Sequence, residues 1–504
     1  MTRFFLILVV LSIPAVSTAQ LIQEADMTYL GAFRVPQGSY NGISYAWGGA
    51  GIGYYQANNS LFILSIYGEN AAEMSIASPV ITSDLDNLNI ASNLQAWVDI
   101  TEGNLDNVGE GGAPCTGNRN LMGGIFVYGG DMYVSVYNYY DAGYCAELSH
   151  FISGLTLNTA SDFDGMYRVG DQTYNVGVKA NYMCNVPSEW RPSFGGAPAF
   201  TGRSFGAILG RSSFGPSIST FYPDSVGIVE PSPSKVITWY DDAGDNATFG
   251  GYADGFDGGG GSPNPYVSPR DIVNGVIFPE GTDSVLFFGT HGNGEWCYKC
   301  PEPNNPAGNG AYPYQYFVWA YDANDLAASY ADTYTVTQDD FNAGRFIDGV
   351  FPNNTVLAVG DTVKPWHIAP YDTWELAVPI VPDTSFTYDK DLIGATYDPA
   401  TGQIYISTAF ADGTRPLIHV YDLDVEVSGG VTFGSASVTD NVLTIGWTDA
   451  ASSDWQVQAT INGTTSYTIL VDSASASFPV AAGTIDIKIT GNASGTAQGG
   501  TSSS

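Results

Sequence analysis

The sequence predicts an all-β protein assembled from many small sheets, and two observations carry that prediction. Short runs of aromatic and β-branched residues, each led in by a polar turn, recur along most of the chain. Between them lie glycine-rich connections, and no stretch sustains the 3.6-residue hydrophobic period of a long helix. Composition agrees. With 60 Gly, 27 Pro and 32 Tyr among 504 residues, turn formers and aromatics are too many for a helical protein, while 44% hydrophobic residues exclude a disordered one.

The chain opens with Arg3, an apolar run from Phe4 to Val10 with Leu11 and Ile13, and the small residues Ser17-Thr18-Ala19. This pattern predicts a secretory leader over residues 1–19, cleaved near Gln20. No other run approaches the roughly 18 apolar residues of a spanning helix, so the chain is expected to work outside the cell without a membrane span. Its formal charge of −35 repels DNA, RNA and anionic lipid, whose recognition needs clustered Lys and Arg. Such a surface suits a protein in saline surroundings, where screening mutes self-repulsion.

One strand grammar repeats over residues 25–425. Asn59-Ser60-Leu61-Phe62-Ile63-Leu64-Ser65 is echoed by Gly130-Asp131-Met132-Tyr133-Val134-Ser135, by Asp283-Ser284-Val285-Leu286-Phe287-Phe288-Gly289 and by Gly402-Gln403-Ile404-Tyr405-Ile406-Ser407. A looser copy surrounds Phe205, and the wide gap between Phe287 and Tyr405 leaves room for one further unit. A second strand type ends in Tyr-Asp, at Tyr321-Asp322 and Tyr421-Asp422, where the aspartate can cap the following turn. One small sheet cannot bury both faces alone, whereas stacking such sheets around an axis does so. In this respect residues 25–425 resemble secreted β-propeller proteins, and their length implies six or seven blades. A two-sheet sandwich and a β-helix are the competing architectures.

From about Val431 aromatics thin out and short strands alternate apolar with polar, with Trp447 and Trp455 as core candidates. Residues 430–490 are expected to form a small immunoglobulin-like or fibronectin-like sandwich, followed by a flexible Gly/Ser/Thr tail over 491–504.

The five cysteines, Cys115, Cys145, Cys184, Cys297 and Cys300, are expected to pair economically as Cys115–Cys145 and Cys297–Cys300, leaving one thiol. The spacing His291-x5-Cys297-x2-Cys300 offers three zinc ligands as an alternative, but no fourth is evident.

Only four histidines exist. His291 follows a buried strand in a glycine-flanked turn, and His367 lies in the Pro-bounded aromatic segment Lys364 to Tyr371. Together with Arg270, which leads into the strand before His291, they are the candidate catalytic groups. His150 and His419 sit inside strands and are expected to be structural. Arg203, Arg211, Trp296, Trp366 and Tyr371 are candidate substrate-binding residues, because loop arginines beside aromatics can hold an acidic sugar. Ion pairing with the abundant aspartates is the competing use of those arginines. Asp254 and Asp257, in a Gly/Asp-rich loop, are candidate calcium ligands, although the loop lacks the closing Glu of an EF-hand.

No nucleophile elbow, zincin helix, phosphate-binding loop or dinucleotide fingerprint occurs. The reading is therefore a secreted carbohydrate-active protein that binds a polysaccharide and cleaves it by lyase-type β-elimination or by hydrolysis. The alternative is a non-catalytic binding, adhesion or surface-assembly protein.

Overall fold

The computed structural model describes most of residues 20–423 and, as backbone, the strands within 432–503; residues 1–19, expected to be a secretory leader, lie outside the described residues. Interior stretches also outside it are 66–67, 116–118, 140, 142, 158–161, 171–175, 206–212, 214, 241–270, 293–296, 299–308, 311–313, 349–354 and 381–390.

Five four-stranded antiparallel units follow one another along the described chain, the fourth and fifth joined into one larger sheet by a parallel contact at Gly275↔Ala395. The first runs Gly48–Tyr55, Ser60–Ser65, Asn70–Ser75, Asn93–Asp99. The second runs Asn120–Tyr128, Asp131–Asn138, His150–Gly154, Asp164–Tyr167, and the third Tyr182–Asn185, Ala199–Gly202, Ile218–Phe221, Val236–Thr238. The fourth is Ile272–Ile277, Ser284–Gly292, Tyr314–Asp322, Asp372–Glu375. The fifth joins Leu392–Asp398, Gln403–Asp412 and Arg415–Leu423 to Met27–Arg34 from the other end of the chain.

The first strand of each unit packs on the first strand of the next, and the fifth returns to the first, so these strands surround an axis. This closed ring is propeller-like, not a single sandwich or a β-helix. The described residues form five units where six or seven were expected. Among the described residues the wide Phe287–Tyr405 gap holds no further four-stranded sheet; it carries the two-stranded pairs Cys297–Tyr298 with Asn309–Gly310 and Ile347–Asp348 with Thr355–Val356, and the helices Ala323–Tyr330 and Gln338–Ala343.

Glycine lets the innermost strands approach. A Cβ on Gly124 would lie 2.1 Å from the Asn181 carbonyl oxygen in the third sheet, and one on Gly275 would lie 2.4 Å from Ala395 Cβ in the fifth. The pairing register slips beside these glycines, as β-bulges do. Side-chain amides and hydroxyls bridge the same seams. Ser135 donates to the Asn181 carbonyl, Asn181 to the Val273 carbonyl, and Asn274 to the Leu392 carbonyl.

Ring closure by Met27–Arg34 is fixed by a bidentate contact of Arg34 with Asp412, at 2.9 and 3.0 Å. His419 adds to it, facing Tyr29 Oη at 3.1 Å and Thr408 Oγ1 at 3.2 Å. Burial pushes its imidazole down to about 3, so it stays neutral, as expected of a structural histidine. His150 is likewise enclosed, between Ser149 and Thr201, and pushed down to about 3 by burial and by Lys179.

Strands Thr432–Thr439, Val442–Thr448 and Ser475–Pro479 form one antiparallel sheet. Thr464–Val471, Trp455–Ile461, Gly483–Gly491 and Gly495–Ser503 form another. The stretch expected as a flexible tail thus supplies a strand, paired from Gly483↔Ser503 to Gly491↔Gly495. An edge strand needs only backbone donors and acceptors, which a Gly/Ser/Thr sequence has in full. The side chains of Trp447 and Trp455 lie outside the described residues. Among the described residues no helix is long and apolar enough to cross a membrane.

Candidate functional site

All five innermost strands start at the same end of the ring, and the antiparallel second strands finish there. The residues just before the innermost strands are Trp47, Arg119, Asn181, Asp271 and Asp391. The second strands deliver Tyr137, Arg203, His291 and Phe410 to the same end. Cations thus come from the second and third sheets, carboxylates and an imidazole from the fourth and fifth, and an aromatic platform from the first.

The fourth sheet supplies the most organised pair. His291 Nδ1 lies 2.8 Å from Asp271 Oδ1, and the same oxygen accepts the Gly292 amide at 3.1 Å. Both side chains are fully buried. Phe317 stacks on the imidazole at 4.5 Å and Trp319 meets it edge-on at 6.1 Å. His291 Nε2 is buried without a hydrogen-bond partner among the described residues. A carboxylate at Asp271 accepts from Nδ1, which leaves Nε2 as the ring nitrogen facing no partner among the described residues. A buried imidazole nitrogen left without a hydrogen-bond partner is rare in a folded protein and marks this position for attention.

Trp47 is 40% exposed and meets Phe410 edge-on at 4.9 Å. Both hold left-handed backbone, with φ of 60° and 55°. Bulky residues rarely adopt that conformation, and such departures gather where a surface is shaped for use. Neither residue stands out in the sequence, since left-handed φ leaves no signature in an aromatic side chain.

The expected site residues are only partly assembled. His291 is a buried strand residue paired with Gln315, not a turn residue, and its partner Asp271 was missed among 51 acidic residues. The one available signal was position, just before the apolar run Ile272–Ile277. His367 is not brought to His291. It lies in the connection after Asp322, with the neighbouring Ile368 carbonyl bound by Tyr240, which also touches Tyr321 near the far end of Tyr314–Asp322. His367 Nδ1 accepts the Lys364 amide at 3.1 Å, and burial lowers its basicity despite Asp348 at 3.8 Å. Trp366 packs beside it, edge to face.

Tyr371 is also placed elsewhere, because its hydroxyl donates to the Ile22 carbonyl at 2.6 Å and lies 2.8 Å from Ser284 Oγ, tying the chain start to the fourth sheet. Arg203 does reach the site end. Its guanidinium lies 4.1 Å over the Tyr137 ring, across the seam between the second and third sheets. Its burial lowers its pKa, with the tyrosines around it opposing.

Arg270, Arg211, Trp296, Asp254, Asp257 and the Cys297–Cys300 pairing lie outside the described residues. Cys115 and Cys145 are joined as expected, with Cα atoms 5.8 Å apart. This bond staples the connection before the second sheet to the loop between its second and third strands, at the edge of the site. Cys184 is a free, buried thiol that burial holds protonated. Among the described residues no group of three or more His, Cys, Asp or Glu is arranged to hold a metal ion.

No family model and no curated protein matches the chain. Among solved structures it is similar to an exo-1,5-alpha-L-arabinanase from a bovine ruminal metagenomic library, at 11% identity and TM-score 0.31, covering 79% of this chain and 97% of that one. It is also similar to a sucrose-6-phosphate hydrolase from Lactobacillus gasseri, at 10% identity and TM-score 0.30, covering 93% and 87%. Likenesses this distant carry no weight for chemistry, which rests on the residues themselves.

Proposed function

We propose that this is an exported carbohydrate-active protein that holds an acidic polysaccharide across the mouth of the ring and acts on it with His291. The observation that carries the reading is the buried Asp271–His291 pair with Nε2 unpaired among the described residues; because the ring is closed to solvent, the reading requires substrate binding to expose that nitrogen. In β-elimination, Nε2 takes the proton α to a uronate carboxylate, electrons form the new carbon–carbon double bond, and the glycosidic oxygen leaves with a proton from a second group. Asp271 then stabilises the imidazolium. Arg203 and Arg270 are the groups suited to a uronate carboxylate, and Trp47, 40% exposed, is the aromatic side chain suited to a sugar at that end.

Residues 430–490 are proposed to be an appended sandwich domain, with Gly495–Ser503 as its last strand; the Cys115–Cys145 bond agrees with work in an oxidising compartment.

The test is incubation with a panel of uronate-containing and neutral polysaccharides. Ultraviolet absorbance of unsaturated products reports elimination, and new reducing ends without it report hydrolysis. Binding without either product leaves the non-catalytic reading in place.

A further inference from the structure

The opposite end of the ring holds a feature that the chemistry above does not use. A cavity of about 400 Å³ opens where the five innermost strands finish, and every one of them contributes to its wall. That volume falls within the range of small-ligand pockets, roughly 300–1,000 Å³. Among the described residues Glu280 is the only charged side chain lining it. Its carboxyl has no hydrogen bond among the described residues, although Glu189 and Arg191 act on it through space. Tyr397 Oη is buried without a hydrogen-bond partner among the described residues, and Glu280 is the first charge acting on its phenol. Tyr54, Tyr55 and Tyr128 also line the space.

We infer that this cavity binds a small organic cation, of the trimethylammonium kind, with Glu280 as counter-charge and tyrosine rings as its walls. Among the described residues four tyrosines and one carboxyl line the cavity, with no lysine or arginine; aromatic rings suit a diffuse charge, apolar surface suits methyl groups, and the carboxyl supplies the anion. An inorganic anion would meet the Glu280 carboxyl and no lysine or arginine among the described lining residues. Calcium would need six or more oxygens and finds one carboxylate. The chain's charge of −35 raises the local concentration of any cation around it.

Calorimetric titration of the full chain at constant ionic strength tests this with choline and with its neutral carbon isostere, in which a tert-butyl group replaces the trimethylammonium. Choline should bind, and the isostere should bind at least about tenfold more weakly, roughly 1.4 kcal/mol. Glu280→Gln, which removes a buried charge and so should not impair folding, should weaken choline by at least the same factor and leave the isostere unchanged. Tyr397→Phe, which keeps the ring, should retain most of the affinity. The inference fails if wild type binds no choline at tens of millimolar, if the isostere binds equally well, or if Glu280→Gln binds choline like wild type.

Discussion

Asp271 and His291 are contributed by adjacent strands of the fourth sheet, and their 2.8 Å contact is closed to solvent on both sides. Asp271 precedes the innermost strand and His291 is the penultimate residue of the next, so antiparallel pairing alone brings them to one height. The stacked Phe317 fixes the ring plane. What remains undetermined by protein contacts is Nε2, the atom that would do chemistry.

His291→Gln and Asp271→Asn should each lower turnover of the polysaccharide identified by the panel by about 10²–10⁴-fold, the usual worth of a positioned acid–base group. Asp271→Asn keeps the shape but no longer selects the tautomer. Melting curves recorded alongside separate lost chemistry from lost fold. A folded variant of either kind that keeps the wild-type rate removes this pair from the mechanism.

Much of the ring was legible because its second strands share one grammar. Phe62, Tyr133, Phe287 and Tyr405 all fall on second strands, each paired to an innermost strand. The third sheet broke the pattern, since Phe205 lies just past Ala199–Gly202 in a short strand paired to the fourth sheet. Asp322 caps the helix Ala323–Tyr330 by accepting the Asn324 amide, as its Tyr-Asp context implied. The sheet count was not legible, because a long connection and a missing sheet look alike in one sequence. The site was half legible: a rare histidine can be singled out, but its aspartate cannot. Tyr371 and His367 are not brought to His291, and no sequence signal announces it, because aromatic, Pro-bounded loops look the same whether they face a ligand or lock a sheet.

Gly124→Ala should be far more damaging than Gly129→Ala. The first places a Cβ 2.1 Å from the Asn181 backbone oxygen, where neither sheet can yield without opening the ring. A loss of about 3 kcal/mol or more is expected, or failure to fold. Gly129 has φ of 62° in open space and should lose only about 1 kcal/mol. Urea unfolding of the two variants makes the comparison.

Replacing Cys115 and Cys145 together by serine should destabilise the protein by about 3–4 kcal/mol, the loop-entropy value for their sequence separation of 30. Differential scanning calorimetry of variant and wild type measures it. Cys184, buried and protonated, should stay unreactive to thiol reagents until the protein unfolds.

Acid should loosen ring closure through His419. Burial holds its folded pKa near 3, below the unfolded value of 6.5. Below pH 6.5 the unfolded chain therefore binds a proton that the folded chain refuses, and stability is lost as pH falls from 6.5 towards 3. His419→Gln should flatten that limb of the stability curve. An unchanged slope between pH 6.5 and 4 would show that His150 and other groups, not His419, set it.

Glu280 should act in the opposite sense. Burial, and then Glu189, push its carboxyl from 4.5 up to about 7, with Arg191 opposing. Between those pH values the folded protein keeps a proton that the unfolded chain has released, so stability falls as pH rises through that window. Above pH 7 the ionised carboxylate sits in the cavity at a cost on the order of 1–2 kcal/mol, allowing for solvent at the mouth. Glu280→Gln should therefore melt higher than wild type at pH 8 and at the same temperature below pH 4.5. Choline should narrow the pH 8 difference, because a bound cation favours the ionised form that only wild type can adopt. If the two proteins melt together at every pH, the carboxyl is better solvated than its surroundings imply, and its role as counter-charge in the cavity loses its basis.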